Sequence, residues 1–283
     1  MAIWNKNEQE YLANNKTLFE SFMLADKDGN IINSFGIASN IPIANGDVDG
    51  YAAIHKFGRN PNVGNAPETV WMHGGKYQYL AVDSPSTVYA YSANSEDSAS
   101  GDGARTVSIL GLDNDFNEIE ETVTVGGAAS TKTFLRIYRA FVATAGSTNT
   151  NEGNVLISTG AGGTGTVLAD IGTIGTGTTF GLGQTQLALY TIPAGKTGYL
   201  TTWNVGCAPM NNKATVLLKS RELDGDAPFR TKDIVDLVGG YHTQNYSIPL
   251  RFPEKTDIEV VAAGDTGTVI SSSFDIILVD NPT

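Results

Sequence analysis

The sequence predicts an all-β protein: two antiparallel β-sandwich domains, jelly-roll-like, behind an N-terminal arm. Three observations lead there. Short runs alternate along the chain with the two-residue period of a strand, as where Val88 and Ala90 face one way and Tyr89 and Tyr91 the other. Turn formers separate these runs, and the 283-residue chain holds 32 glycines beside abundant Ser, Thr and Asn. The runs follow one another with turns between them rather than helices, which favours a sandwich over a βαβ fold.

Residues 1–49 form the arm. Trp4, Tyr11 and Leu18 are spaced by sevens, and Leu18 and Phe22 stand four apart, so they can share one helical face, although Asn14-Asn15 weakens it. Asp26-Lys27-Asp28-Gly29-Asn30 is a turn between two apolar stretches, a small hairpin signal. A segment this short cannot build a core around its own large side chains. It is either a strap across its own domain or an arm that docks on another subunit. In the second reading Trp4, Tyr11, Phe19 and Phe22 are the partner-binding residues.

The first sandwich is expected over residues 50–160. Its strands fall at 77–80, 87–92, 105–112, 118–125, 134–142 and 155–157. Residues 160–184 are rich in Gly and Thr and read as an inter-domain connection, with a short strand at 167–169. The second sandwich is expected over 161–283, with strands at 187–192, 199–205, 215–220, 257–260 and 274–278. Residues 222–244 read as a polar excursion, with a turn of helix at 234–238. Some eight strands with one long excursion is the pattern of a jelly roll.

Composition narrows the function. The net charge of −12 repels phosphates, so nucleic acid is not the expected partner. No stretch approaches the roughly 18 apolar residues of a membrane span, and the first residues lack the pattern of a secretory signal. Cys207 is the lone cysteine, so no intrachain disulfide forms; its small apolar neighbours mark it as buried filler.

Catalytic and metal motifs are missing as well. His55, His73 and His242 lie far apart with no metal-ligand spacing, and no G-x-S-x-G elbow occurs. Glu120 and Glu121 point to opposite faces of a strand. Asp113/Asp115 and Asp224/Asp226 sit in turns, where aspartates bond backbone N–H groups. The stretch 26–30 begins like an EF-hand loop, but its glycine is misplaced and no closing glutamate follows. Tyr77, Tyr79, Tyr89 and Tyr91 read as core or subunit interface, with an exposed sugar-binding platform as the other reading. The expectation is a protein with no catalytic residues, no cofactor and no metal.

Three runs resemble a recurrent pattern in tailed-phage virion proteins: Arg105-Thr106-Val107-Ser108-Ile109-Leu110-Gly111-Leu112-Asp113, Asn117-Glu118-Ile119-Glu120-Glu121-Thr122-Val123 and Phe134-Leu135-Arg136-Ile137-Tyr138-Arg139. His55-Lys56-Phe57-Gly58-Arg59-Asn60-Pro61, the run from Tyr190 through Pro193-Ala194-Gly195-Lys196 to Leu200, and the acidic ending 257–280 resemble the same group. The resemblance spans roughly residues 50–280 and leaves the arm unmatched. It implies a non-enzymatic virion structural protein, assembled in the host cytoplasm: a capsid decoration or cement protein that binds the outside of a phage head and stabilises it. Its implied partners are the major capsid protein or another shell protein and, since such proteins are commonly trimeric, two further copies of itself. The alternative is a tail or head-fibre component that binds host surface glycans; copy number per particle separates the two.

Overall fold

The structure is a computed structural model that describes residues 40–175, 180–223 and 227–282. Its first element is a short helix, α1 (Asn40–Asn45). Strands β1 (Tyr51–Val63) and β2 (Glu68–Thr69) follow, then β3 (Tyr89–Ser92), β4 (Ala104–Leu112), β5 (Glu118–Thr124), β6 (Arg136–Ala145), β7 (Val155–Ser158) and β8 (Val167–Ile171). A small ribbon, β9 (Thr173–Ile174) and β10 (Phe180–Gly181), leads to β11 (Leu189–Thr191) and β12 (Lys196–Ala208). The chain ends with β13 (Lys213–Glu222), β14 (Arg230–Val238), β15 (Gly240–Phe252), β16 (Thr256–Gly264) and β17 (Thr268–Asp280).

The protein is thus predominantly strand, in several antiparallel sheets. The central part of the chain forms two three-stranded sheets, ordered β3-β7-β8 and β5-β4-β6. Val88, Ala90, Val107, Ile109, Ile137, Ile157 and Leu168 from these sheets meet in one apolar cluster. The rest forms two larger sheets, ordered β1-β17-β12-β15 and β11-β16-β13-β14, with β2 added beside β16. Leu200, Trp203, Phe274 and Ile276 from the first of these pack with Val216, Leu218, Ile258 and Val260 from the second. Both clusters follow from period-two alternation, which puts every second side chain of a strand on the same face.

Four features differ from the sequence expectation. The 13-residue strand β1 stands where no strand was expected, and it pairs with β17, as in Ile54↔Ile276 and Phe57↔Ser273. It escapes notice because Lys56, Gly58 and Asn60 fill three of its four buried positions and break the apolar pattern, leaving Val63 as the fourth. The Gly/Thr-rich stretch is no free connection: β8 pairs with β7, and Leu168, Ala169 and Ile171 lie in the central core. Residues 234–238 belong to strand β14, with Val235 opposite Val216, rather than to a turn of helix. Residues 77–80 lie in no ladder, yet Tyr77 is buried and its hydroxyl donates to Leu168 O at 3.2 Å.

The end of the expected arm belongs to the folded body, because Ile43 and Val48 are buried. Trp4, Tyr11, Phe19 and Phe22, the turn at 26–30 and the pair Asp224/Asp226 lie outside the described residues.

Trp203 holds the larger core together. It is fully buried, and its indole Nε1 donates to Ser272 Oγ at 3.0 Å. Trp203→Ala removes that volume and leaves a cavity, so it should cost about 3–5 kcal/mol of unfolding free energy. Urea denaturation of both proteins measures this; a loss below about 1 kcal/mol would show a core that closes around the gap.

Candidate functional site

The outward face of β16 behaves against its sequence. Asp257 and Glu259 alternate with Ile258 and Val260, the pattern of a half-exposed strand, yet β16 is buried from Thr256 through Ala262. The central unit covers that outer face, and its contact is built on charge. Arg136 of β6 is fully buried and donates from Nε to Asp257 Oδ1 at 3.0 Å and from Nη2 to Oδ2 at 3.2 Å. Its Nη1 donates to the carbonyls of Leu80 and Leu135, each at 2.9 Å. Arg221 of β13 donates to Asp257 Oδ2 from Nε at 3.0 Å and from Nη2 at 2.9 Å, and Thr191 Oγ1 donates to Oδ1 at 2.6 Å.

An aromatic stack seals this cluster. The Tyr79 ring lies 5.0 Å from the Arg136 guanidinium carbon and 4.5 Å from that of Arg221. Phe229 lies on Arg221 at 4.7 Å, and Lys219 sits 5.7 Å from the Phe229 ring. Glu259 accepts from Thr69 Oγ1 and stands 3.5 Å from the Tyr79 hydroxyl; burial pushes its carboxyl above the usual range. A cleft of about 590 Å³ opens beside the stack, lined by Tyr79, Asn114 and Leu223 as well as both arginines. Its guanidinium groups already face Asp257, so the arrangement works as a clamp between units. The unpaired stretch 77–80, read from sequence as a strand, supplies its central ring.

A second contact joins the units at Lys56. The side chain is buried, and Nζ donates to the Tyr138 carbonyl oxygen. Burial, with the neighbouring Arg139 charge, pushes its ammonium pKa down to about 7. Around it the central unit also covers the β1 edge of the larger sheets. Arg139 Nη2 donates to His55 O at 3.3 Å, and in the run that leads into β11 Leu187 N donates to Phe57 O at 2.8 Å.

The opposite side of the larger sheets is different. β14 and β15 are the last strands of their sheets. No residue of β14 is buried, and Phe252 is the one buried residue of β15. Ile234, Val238, Tyr241 and Ile248 are exposed there, Ile248 to 83%. A long unpaired edge with apolar side chains is a ready template for another chain.

The histidines take structural positions. His55 Nδ1 lies 2.6 Å from Asp275 on an exposed sheet face, and His73 Nδ1 lies 3.4 Å from Asp170. The His242 ring packs edge-on to Trp203 at 6.4 Å. Among the described residues no histidine is hydrogen-bonded to a hydroxyl or thiol. No three His, Cys, Asp or Glu side chains there gather as a metal site. Asp113 accepts from the N–H groups of Asp115 and Asn117, each at 2.9 Å, which is the turn role expected of it. Cys207 is buried, and burial pushes its thiol pKa up, away from reactivity.

No family model matches the chain, and no curated protein is similar to it. Among solved structures, a chain from infectious bursal disease virus, Gx strain, is 10% identical over 82% of this chain and 72% of that one, with a TM-score of 0.26. A chain from the Gt strain is 8% identical over 95% of this chain and 87% of that one, with a TM-score of 0.12. Superpositions this loose define neither a shared fold nor a shared role.

Two outcomes follow from the clamp. Asp257→Asn leaves two guanidinium groups against a neutral amide, one of them fully buried, and should cost about 3–5 kcal/mol. A double-mutant cycle with Arg136→Met should show a coupling above about 1 kcal/mol; additive losses would mean that the pair does not act as a unit.

Lys56 sets a pH dependence. An unfolded lysine keeps its proton to about pH 10.4, whereas folded Lys56 loses it near pH 7. Between these values the unfolded chain binds the extra proton, so stability rises with pH. Denaturant titrations should show stability climbing from about pH 6.5 to about pH 8.5, by at most about 1.4 kcal/mol per pH unit. Lys56→Met should remove this climb, and identical profiles for the two proteins would rule out the buried ammonium as its source.

Proposed function

We propose that this chain is a non-enzymatic virion structural protein, a jelly-roll subunit that associates with copies of itself and with a shell protein. The observation that carries the reading is strand order. Taking the eight long-range strands in sequence as B (β1), C (β11), D (β12), E (β13), F (β14), G (β15), H (β16) and I (β17), the two sheets read B-I-D-G and C-H-E-F. Sheets interleaved in this order support a jelly-roll reading, an architecture that recurs in viral capsid and lectin domains. The central unit, β3 to β10, is then an insertion between B and C. Trp203, Phe274, Leu200 and Leu218 fill the space between the sheets, so the barrel interior is a core rather than a chamber.

The lopsided edges support self-association. The central unit covers the B side, while the F and G edges stand open with Ile234, Val238 and Ile248 exposed. A second copy is the occupant best suited to two free edges on one side, since backbone pairing needs no foreign sequence. The resemblance to tailed-phage virion proteins supplies the finer reading. That reading is a trimeric decoration or cement protein on a phage head, with Trp4, Tyr11, Phe19 and Phe22 as anchors on the major capsid protein.

Light scattering at micromolar concentration should give a multiple of the 29.9 kDa chain mass, three chains for the trimer. Val238→Lys with Ile248→Lys should return it to one chain with its fold intact. A strictly monomeric wild type counts against assembly through this edge. Quantitative mass spectrometry of purified virions should find the chain at high copy number, and its absence from the particles would reject the virion reading altogether.

A further inference from the structure

Register lines up side chains in rows across the outward face of the sheet β1-β17-β12-β15. One row runs Arg59, Ser271, Gly206, Tyr241, and the next runs Phe57, Ser273, Asn204, Thr243. The two middle strands therefore contribute short side chains, while Phe57 and Arg59 rise on one flank and Tyr241 on the other. With strands about 4.8 Å apart, the flanks stand roughly 14 Å from each other. The trough between them is an open groove of about 360 Å³.

Three details separate this trough from an ordinary sheet surface. Gly206 has no packing reason to be glycine. A Cβ at the strand glycines Gly58, Gly111 and Gly198 would fall 2.3, 2.1 and 2.5 Å from neighbouring atoms, so nothing larger fits there. A Cβ at Gly206 would meet nothing nearer than Ser271 O at 4.0 Å. Glycine inside a strand weakens it, and here the loss leaves only open space in the trough floor.

Tyr241 is an exposed aromatic held still. The residue is 68% exposed, yet its hydroxyl donates to Asn204 Oδ1 at 2.9 Å, and Asn204 Nδ2 donates to Ser273 Oγ at 3.2 Å. Gln186, at the end of the trough next to Phe57, is 9% exposed. Its Nε2 donates to Gln184 O at 2.7 Å, which fixes the amide at that end.

We propose that this trough is a carbohydrate-binding site for a neutral pyranose. The ligand's apolar ring face stacks on Tyr241, which the Asn204 bond has already oriented. Its hydroxyls meet the short polar groups of Asn204, Ser271 and Ser273 and the guanidinium of Arg59. A sugar hydroxyl both donates and accepts, which suits this mixed set of partners. The overall charge of −12 disfavours an acidic sugar. No covalent step is involved. The site stands on its own geometry and does not depend on whether the chain assembles into a particle.

Saturation-transfer NMR on the full chain tests it, with methyl α-glucoside, methyl β-galactoside and methyl N-acetyl-β-glucosaminide at millimolar concentration. At least one should receive saturation, with its ring protons closest to the protein. Tyr241→Ala should weaken that binding about tenfold or more, the loss of an aromatic stacking contact. Gly206→Tyr fills the floor from a position with room for a side chain, and should abolish binding without lowering the melting temperature. Ser271→Gln fills it from the neighbouring strand and must give the same loss. No transfer to any of the three glycosides overturns the proposal, and so does wild-type binding by both filled variants. If the filled variants instead change the oligomeric mass and leave sugar binding as it was, the trough is a subunit contact and the proposal falls.

Discussion

The carboxylate of Asp257 is the point on which the two halves of this molecule depend. It is buried beneath the central unit and takes hydrogen bonds from Arg136, Arg221 and Thr191. Burying a charge is expensive, and burying a pair is tolerable only when its donors find acceptors in good geometry. Arg136 adds to its pairing by donating both Nη1 N–H groups to the Leu80 and Leu135 carbonyls. Because the pairing is bidentate, it fixes orientation as well as distance. The central unit is thereby seated in one pose on the outer face of β16, with Tyr79 wedged between the two guanidinium groups.

That seating decides which surfaces are left. The unit shields the β1 side of the larger sheets, where Lys56 and Arg139 tie it to the neighbouring backbone. Nothing in the described residues shields the β14 and β15 side in the same way, and those strands hold Ile234, Val238 and Ile248 outward. Proteins usually blunt exposed edges with charge, proline or bulges. Lys232 and Arg230 do so at one end of β14, and Pro249 interrupts β15, but the apolar stretch between remains. One flank of the described residues is thus covered and the other left open.

The outward face of β1-β17-β12-β15 shows how a sheet can hold a site without any loop building it. Pairing in register places Gly206, Ser271 and Ser273 side by side although they come from strands far apart in the chain. The same register sets Tyr241 and Phe57 on opposite flanks. Along any one strand these residues look like ordinary solvent-facing positions.

Much of the fold was legible in the sequence because strand alternation is a local signal. The runs at 105–112, 118–125, 199–205 and 274–278 declare themselves by period two, and they stand as β4, β5, β12 and β17. Turn chemistry was legible too, since Asp113 bonds its own neighbours whatever the rest of the chain does. Charge, cysteine count and the spacing of His55, His73 and His242 bounded the chemistry in the same local way. Pairing is another matter. β1 joins β17, and His55 meets Asp275 across 220 residues, through a strand where Lys56, Gly58 and Asn60 fill three of the four buried positions and so send little apolar signal. Asp257 and Glu259 read as solvent-facing until a unit more than a hundred residues upstream lies over them. A side chain's face is set by its own strand, but what that face meets is set by segments distant in sequence. Tertiary structure alone therefore decided the clamp, the open edge and the trough.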